Sequence, residues 1–434
     1  MKKSNQILII ICIFIASIIS TLIINIQGDN YQISKNEGIK KQEIKDLEVK
    51  ENLTVNKNLE YDVANIVAVG DIIIHEDQLK AQLDEATGEY NFYNNFKYVK
   101  SHIISGDIAL ANLETTLAGE NQKYTGYPSF NSPSSIADAM VDSGFDILSI
   151  VNNHTIDRGS AGVFSTMSEL QKRNIKEIGA RESVDKKPYL IQEVKGIKMG
   201  FISYSYETPR KGERKTLNAI EIPSDVVNLL NTFSYEHIDE DLNKIKTQID
   251  EMKSQGAQAI IFFIHWGNEY ERVPNVHQKS IARSLCDYGV DVILGSHPHV
   301  VQPMEFITSE KTGKRSLVVY SMGNFISNQQ YERTNNRYTE DGVIVNIEIK
   351  KSKLSNDITI SEVSYIPTWV HRYTDNNKFV YEVLPLTDAL ASKGKYNLNE
   401  SGSVWRAENS EKSTRMLMGG SNEIIEAGVK AVMN

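Results

Sequence analysis

The chain has 434 residues, enough for one large domain or two, and 40% hydrophobic and 24% charged residues are usual for a globular protein. Its formal net charge of −9 at pH 7 provides no broad cationic field, so we expect no nucleic-acid partner. The two cysteines, Cys12 and Cys286, belong to no metal-binding or nucleophile pattern.

The N-terminal stretch at 7–26 is uncharged and strongly apolar, and two lysines precede it. A helix of this length, at ~1.5 Å per residue, spans the ~30 Å hydrocarbon layer of a bilayer. We predict a cytoplasmic N-terminus at 1–6, a single-pass anchor at 7–26 that crosses the cell membrane, and an extracellular main domain. A cleaved signal peptide is the alternative interpretation, and both predict an exported chain.

Residues 27–62 contain many Lys, Glu, Asn and Gln side chains and few apolar ones. Such a segment cannot bury enough apolar surface to fold alone, so we predict a solvated stalk. Residues 63–386 have the pattern of an α/β domain. Beyond Leu386 the pattern weakens, and we predict no particular structure for the C-terminal extension at 387–434.

Short apolar runs rich in β-branched residues alternate with amphipathic segments in the α/β domain. The predicted strands lie at 66–69, 108–111, 147–151, 199–204, 259–264, 290–294 and 317–320, and the predicted helices at 136–143, 159–170, 239–255 and 275–288. At 343–349 apolar and polar residues alternate, which indicates an antiparallel strand with one face in water.

Side chains with metal-ligating atoms follow most of these predicted strands. In open α/β sheets ligands bind beyond the carboxyl ends of the parallel strands, so we expect these side chains to meet. Gly295 allows the backbone to turn after one strand, and Pro298 fixes φ between two histidines. The candidate metal ligands are Asp71, Glu114, Asn153, His265, His297 and His299, with His75 and His154 nearby.

This mixture of carboxylate, amide and imidazole ligands suits a divalent metal such as Mn, Fe or Zn. We predict two ions about 3.5 to 4 Å apart, an arrangement that serves phosphoryl chemistry. His154 is the predicted catalytic proton donor, and Asp157 either orients His154 or caps the next helix. Arg158 and Glu269 are the predicted substrate-binding residues, with Arg158 as the anion contact.

Each of these residues has another interpretation when it is taken alone. Asp71 fits a helix cap, Glu114 a solvated acid, and Asn153 a turn residue. His265 fits a buried histidine with satisfied hydrogen bonds, and the pair at 297 and 299 fits a solvated loop. Their shared position at strand ends favours the metal site.

The motifs occur in the order VGDIIIH, ANLETTL, VNNHTIDRG, IHWGNEYE, ILGSHPHVVQPME and YSMGNFI, followed by YIPTWV at 365–370. In this order they resemble the CapA family of bacterial poly-γ-glutamate capsule synthesis proteins, which is itself similar to calcineurin-like metallophosphoesterases. The resemblance covers about 65–386. It implies a layered metallophosphoesterase-like fold, with two packed β-sheets flanked by helices, a two-metal site, and a role in making, exporting or anchoring an anionic glutamate polymer.

The resemblance also implies a role for individual residues. Asp71 matches the first metal ligand of the phosphoesterase pattern, and Glu114 matches the carboxylate that bridges the two metals. The Asn-His motif matches Asn153 as a ligand and His154 as the donor to the leaving group. The later motifs match the three remaining ligands, His265, His297 and His299.

The chain departs from the phosphoesterase pattern at two positions. The pattern has a histidine two residues after the first Asp, but this chain has Ile73 there, and its nearest histidine is His75. Glu114 replaces the usual bridging Asp, which moves the bridging oxygens by one methylene. The sequence therefore supports a metal site more strongly than it supports catalysis at that site.

Three hypotheses for function follow. The leading one is a membrane-anchored extracellular protein of capsule or cell-envelope polymer synthesis with a metal-dependent hydrolase-like site. The second is a non-catalytic scaffold subunit that holds the anionic polymer together with other capsule synthesis subunits. The third is an extracellular phosphoesterase that acts on an unidentified phosphate ester.

Overall fold

The computed structural model describes residues 60–418 and, for the backbone alone, 424–426. Contacts within the chain separate Met1–Tyr61 from Asp62–Asn434, and the second unit holds the α/β fold. The predicted anchor at 7–26 and nearly all of the predicted stalk lie outside the described residues. Within 60–418, no helix is both long and apolar enough to cross a bilayer.

Strands and helices alternate over much of the described chain, as the sequence pattern predicts. The strands are β1 (Tyr61–Ile72), β2 (Ile108–Leu113), β3 (Ile147–Ser149), β4 (Lys176–Ile178), β5 (Leu190–Val194), β6 (Ile197–Tyr206), β7 (Thr208–Lys211), β8 (Arg214–Leu217), β9 (Ile220–Glu221), β10 (Thr232–Phe233), β11 (Ala259–His265), β12 (Val292–Ser296), β13 (Met304–Thr308), β14 (Arg315–Val319), β15 (Asn324–Ile326), β16 (Asp341–Ser352), β17 (Ile358–Asp375), β18 (Lys378–Pro385) and β19 (Ile424–Glu426).

The α-helices connect the strands or follow the last long ones. They are α1 (Glu76–Gln82), α2 (Tyr93–Phe96), α3 (Lys100–Ile104), α4 (Ser135–Asp142), α5 (Gly159–Gln171), α6 (Ile238–Ser254), α7 (Val276–Asp287), α8 (Tyr331–Thr334), α9 (Leu386–Ala391) and α10 (Ser401–Met418). Short 3-10 helices lie at Glu120–Gln122, Tyr235–His237, Arg337–Glu340 and Lys393–Tyr396.

The strands form two large sheets and one small one. The first sheet has the order β18-β17-β16-β1-β2-β3-β4, with β15 beside β1 and β19 beside β17. The second has the order β10-β6-β11-β12-β14-β13, with β5 beside β6, and β7, β8 and β9 form the small sheet. Strands β1, β2 and β3 are mutually parallel, as are β6, β11, β12 and β14. Each large sheet therefore collects several carboxyl ends at one edge.

Alternation of side chains along each strand builds the hydrophobic layers. Ile66 of β1 belongs to one core cluster with Phe201 of the second sheet, so the two sheets pack face to face. The next residue, Val67, points the other way and packs in a cluster with Met140 of α4. The first sheet thus has the second sheet on one face and helices on the other.

Helices also cover the outer face of the second sheet. The predicted helix at 239–255 is α6, and its apolar stripe is buried with Phe262 of β11, as predicted. That stripe consists of Leu242, Ile245, Ile249 and Met252. The predicted layered α/β fold, two packed sheets with helices outside, is therefore confirmed.

The predicted antiparallel strand at 343–349 is part of β16, which pairs antiparallel with β17. Burial alternates from Val345 to Lys350, as expected for a strand with one wetter face, but Asp341–Ile344 is buried throughout. The C-terminal extension at 387–434, for which no structure is predicted from the sequence, is described as far as 418 and for the backbone of 424–426. Helices α9 and α10 form a small core in which Leu386 and Ala407 lie with Trp369.

Candidate metal centre

The carboxyl ends of both sheets meet in one buried cluster of acids and imidazoles. In the first sheet Asp71 lies opposite Asn112, and Glu114 follows β2 directly. In the second sheet His265 ends β11 opposite Ser296, which ends β12 just before the two remaining histidines. Asp71 and Glu114 are 0% exposed, and His265, His297 and His299 are at most 3% exposed.

Two groups of side chains in this cluster place their ligand atoms within 4.8 Å of one another. One group is Glu114, His297 and His299, and the other is Asp71, Glu114 and His265. Glu114 Oε1 lies 3.8 Å from His265 Nε2 and 3.7 Å from His299 Nε2. Glu114 therefore belongs to both groups, the position that a bridging carboxylate requires.

Asp71 is held between neighbouring strands. Its Oδ1 accepts a hydrogen bond from Asn112 Nδ2 at 2.8 Å, and its Oδ2 lies 3.2 Å from His299 Nδ1. The same Asn112 amide donates to Glu114 Oε2 at 3.1 Å. One amide thus orients both carboxylates of the cluster.

Two buried atoms show that the cluster fits a metal. Among the described residues, Glu114 Oε1 and His297 Nδ1 are buried and have no hydrogen-bond partner. A buried polar atom without a partner costs about 1–3 kcal/mol, so such atoms are uncommon unless another group satisfies them. Carboxylate oxygen and imidazole nitrogen are both ligands for Mn, Fe and Zn.

Burial also sets the protonation state of the cluster. It raises the pKa of Glu114 well above its ordinary value, and the nearby Asp71 charge adds to that rise. It lowers the pKa of His265 and His297 well below 6.5, with a contribution from the other imidazoles. Neutral imidazole is the form that binds a metal, so these histidines are in the ligating state at neutral pH.

The backbone that presents the two later histidines is strained. His297 has φ of 96° and His299 has φ of 56°, values that side-chain-bearing residues rarely adopt. Such strain persists where the surrounding structure enforces it, often at functional sites. Gly295 permits this path, because a Cβ there would lie 2.0 Å from the Tyr320 carbonyl oxygen.

Asn153, the predicted amide ligand, lies at the same cluster. Its Oδ1 is 2.9 Å from His265 Nε2, and its Nδ2 donates to Asn218 Oδ1 at 3.2 Å. On the other side of the ring, His265 Nδ1 lies 2.9 Å from Ser296 Oγ. Ser296 thus orients the ring and leaves Nε2 facing Asn153 and Glu114.

His154 and Asp157 form a pair beside the cluster. Asp157 Oδ2 lies 2.8 Å from His154 Nδ1 and also accepts from the Phe130 backbone N–H at 2.6 Å. The Phe130 ring meets the imidazole edge-on, with centroids 4.6 Å apart. Asp157 therefore contacts His154, as orientation requires, while helix α5 has no side-chain cap bond.

A cavity of about 220 Å³ opens onto the cluster. Four predicted site residues line it, namely Glu114, His154, Glu269 and His299. It is also lined by His75, Phe130, Tyr270 and Arg333. Substrate that entered this cavity would meet the proton-donor candidate, the shared carboxylate and one guanidinium.

Arg158, the predicted anion contact, faces a loop instead of this cavity. Its guanidinium donates to Ser129 Oγ at 2.5 Å and to the Ser129 carbonyl at 3.1 Å, and it also donates to Thr125 Oγ1. These contacts hold the loop at 125–129 against α5. A substrate-binding role for Arg158 stays a prediction.

His75 lines the cavity but belongs to neither ligand group. Its ring Nδ1 accepts a hydrogen bond from the Asn328 backbone N–H at 3.2 Å, and burial lowers the pKa of His75 to about 3. Ile73, at the position where the phosphoesterase pattern has histidine, is buried and lines the same cavity.

Sequence reasoning missed three residues of the site. Asn112 belongs to the ANLE motif at a predicted strand end, but the sequence pattern does not indicate that its amide orients both acids. Asn218 approaches His154 and Asn153 from the small sheet through a left-handed backbone, with φ of 48°. Arg333 reaches the cavity from α8, far along the chain, and no local pattern indicates this.

Together these observations define a layered α/β protein with a candidate metal centre where the carboxyl ends of its two large sheets meet. Residues 65–329 match the model of the family described as bacterial capsule synthesis protein PGA_cap. Because this match covers more than half of the chain, the protein belongs to that family. The predicted resemblance to CapA proteins is thereby confirmed.

Two curated relatives agree with this assignment. The PGA biosynthesis protein CapA of Bacillus subtilis is 25% identical over 67% of this chain and 69% of that protein. The capsule biosynthesis protein CapA of Bacillus anthracis is 25% identical over 64% of this chain and 63% of that protein. The match thus spans less than two thirds of the second relative.

Comparison with solved structures gives matches of low identity and low TM-score. A phosphatase of Mycoplasma pneumoniae is 11% identical, with a TM-score of 0.41 over 71% of this chain and 94% of that chain. A calcineurin-like phosphoesterase of Bacillus subtilis is 12% identical, with a TM-score of 0.38 over 82% of this chain and 99% of that chain. Matches at this level assign neither activity nor ligand.

Proposed function

We propose that this protein is a membrane-anchored, extracellular component of capsule polymer synthesis or export, and that its buried cluster is a two-metal hydrolase site. The polymer named by the family resemblance is poly-γ-glutamate. The observation that supports the proposal is the position of Glu114, whose Oε1 is buried, has no hydrogen-bond partner among the residues that the structure describes, and lies between His265 and His299.

The residues that would hold the metals are the two groups joined by Glu114. When bound, divalent cations act as Lewis acids toward the oxygen of a carbonyl or phosphoryl group. Mn, Fe and Zn all fit the ligand types. Asn153 adds an amide oxygen beside His265.

His154 supplies the proton chemistry in this proposal. Its Nδ1 faces the Asp157 carboxylate, so Nε2, which has the Asn218 Nδ2 atom 3.5 Å away, is the atom that would give a proton to a leaving oxygen or nitrogen. His154 also lines the cavity, as a proton donor must. Asp157 would keep the ring in the correct tautomer and orientation.

The cavity supplies binding for an acidic substrate. Arg333 lines it, and this guanidinium can contact a carboxylate or a phosphate. Asp77 is the present ion-pair partner of Arg333. An incoming anion would therefore share Arg333 with Asp77.

A non-catalytic scaffold is the second candidate function, and Ile73 favours it. That apolar side chain occupies a position where the resemblance implies a histidine, so the site has one fewer ligand there. In this case the protein would hold the polymer for other capsule subunits without breaking a bond.

Complementation in cells distinguishes these functions. A strain lacking the gene would receive wild type, Glu114→Gln, His154→Gln, or His102→Gln as a control for a histidine outside the site. For a hydrolase we expect both site variants to lose normal polymer and the control to retain it. Normal polymer with His154→Gln would favour the scaffold, and normal polymer with both site variants would contradict a role for the metal site. Hydrolysis of phosphate esters by purified protein without any polymer defect would favour an independent phosphoesterase.

A further inference from the structure

A second pocket, of about 400 Å³, lies between helix α10 and two other segments of the chain. Its polar lining consists of Arg272, Arg337, Tyr338, Asn409, Lys412 and Ser413. Three of these six side chains are cationic, and no carboxylate among the described residues lines the pocket. This is unusual in a chain whose formal net charge is −9.

The two guanidinium groups are held in place by neutral partners. Arg272 Cζ lies 3.9 Å from the centre of the Tyr338 ring, and Arg337 Cζ lies 4.6 Å from it. Arg272 Nη2 donates to the Ser413 carbonyl and Arg337 Nη2 to the Asn409 carbonyl, each at 3.2 Å. These contacts fix both cations without neutralising their charge, which lowers the entropy cost of binding an anion.

In the part of the chain that the structure describes, the cations of this pocket form no direct ion pair. Within 60–418, none of Arg272, Arg337 and Lys412 has a carboxylate partner within ion-pair distance. Asp341 interacts electrostatically with both Arg272 and Arg337, and its Oδ1 accepts a hydrogen bond from Ser410 Oγ at 2.5 Å. Asp341 is buried and is not one of the residues that line the pocket.

Two polar atoms of the pocket also lack partners. Arg272 Nε and Ser413 Oγ are buried and have no hydrogen-bond partner among the described residues. Ser413 is only 8% exposed, so bulk water does not satisfy its hydroxyl. A guanidinium N–H and a serine hydroxyl are both donors to an anion.

The pocket is connected to the metal site through two segments of the chain. Arg272 lies two residues after Tyr270, which lines the metal-site cavity, in the loop between β11 and α7. Arg337 lies four residues after Arg333, which lines the same cavity. An extended acidic polymer bound in this pocket would therefore lie near the segments that form the metal-site cavity.

We propose that this pocket is an anion subsite that binds a carboxylate or phosphate group of the substrate whose scissile bond enters the metal-site cavity. The inference rests on the proposed function for the class of substrate, an acidic polymer or a phosphate ester. Binding at the subsite needs no metal. It is strongest at low ionic strength, because salt screens charges that are partly open to solvent.

Calorimetric titration of the full-length protein in detergent tests the subsite. The probes are a decamer of γ-linked glutamate, a neutral decamer of γ-linked glutamine, and inorganic phosphate. The test variant is Arg337→Gln with Lys412→Gln. The matched control is Lys80→Gln with Lys172→Gln, which removes the same charge at two exposed surface positions.

We expect the test variant to bind the glutamate decamer at least tenfold more weakly than wild type does. The control variant should bind it within twofold of wild type. The neutral decamer should bind to neither variant. If wild type binds inorganic phosphate tightly and the test variant does not, the result would support the subsite and would identify a phosphate ester as the source of its anion. Unchanged binding of both anions by a test variant that unfolds at the wild-type temperature would overturn the inference. If the double variant does not fold, Lys412→Glu takes its place, because Lys412 is at an exposed position. We expect the same loss of binding of the glutamate decamer.

The His297→Ala variant separates this inference from the proposed function. It removes a metal ligand but no residue of the pocket, so we expect it to bind the glutamate decamer as wild type does. Loss of anion binding in His297→Ala would place the binding at the metal cluster and overturn the separate subsite. Retained binding in a protein that holds no metal would support the subsite even if the hydrolase proposal fails.

Discussion

The two large sheets bring different chemistry to the same place. The candidate oxygen ligands Asp71, Glu114 and Asn153 follow strands of the first sheet, whereas the candidate imidazole ligands His265, His297 and His299 come from the second. In the two candidate ligand groups among the described residues, the first sheet supplies the carboxylates and the second supplies the imidazoles. The candidate metal centre therefore depends on the core between the sheets, which sets the distances from Glu114 to His265 and His299.

The largest expected effect comes from the one residue that joins the two ligand groups. Glu114→Gln replaces the carboxyl group shared by both candidate groups with an amide, so both groups are weakened together. We expect the affinity for Mn or Zn to fall by more than ~100-fold, beyond the range for losing an outer-sphere partner. Competition with a coloured chelator measures this. Wild-type affinity in the variant would show that Glu114 is not a ligand.

A second prediction separates metal binding from proton transfer. His154→Gln leaves every residue of both ligand groups in place, so we expect it to retain metal. Hydrolysis of a phosphodiester with an alkyl leaving group, which needs a proton to depart, should fall by ~10²–10⁴-fold in the metal-loaded variant, the usual contribution of a positioned acid or base. His102→Gln, outside the site, should hydrolyse at the wild-type rate. Equal rates for all three proteins would remove His154 from the mechanism.

A third prediction concerns the support of the imidazole side. Ser296 Oγ lies 2.9 Å from His265 Nδ1, so Ser296→Ala frees the ring to rotate. We expect metal affinity to fall by ~10–100-fold. Ser316→Ala is the matched control, because its hydroxyl is buried in the same sheet and donates to the Val290 carbonyl. If both variants lower affinity equally, the cause is general destabilisation.

The smallest predicted effect concerns Asp341, a buried carboxyl group of the first sheet that belongs to neither candidate ligand group. Burial raises the pKa of Asp341 from 3.8 to about 7. Because the pKa of Asp341 is higher in the folded state than in the unfolded state, its contribution to stability is fully present below pH 3.8 and is lost as the pH rises through 7. Asp341→Asn should therefore raise the melting temperature more at pH 8 than at pH 4, relative to wild type. A shift that is the same at both pH values would contradict this.

Much of the fold and site followed from the sequence for a simple reason. Buried runs form parallel strands, and parallel strands end at one edge, so Asp71, His265 and His297 had to come close once the sheets packed. The strand ends at Ile72, His265 and Ser296 agree with the predicted positions within a few residues.

The remainder of the site depends on loops, whose paths the sequence pattern does not determine. The substrate-binding role of Arg158 stays a prediction, and its guanidinium donates to Ser129 and Thr125 of a loop whose path the sequence does not indicate. Asn218 and Arg333 reach the site from segments with no strand-end signal. Such positions follow from long-range packing and have no local periodicity that could reveal them.

The metal content of the full-length protein tests the central claim most directly. Elemental mass spectrometry of protein purified without chelator and incubated with Mn, Fe and Zn would be compared for wild type, His265→Ala and His297→Ala. We predict two equivalents per chain in wild type and one in each variant, because each variant removes a ligand from only one of the two groups. No metal in wild type would contradict the two-metal site and leave the scaffold as the better account.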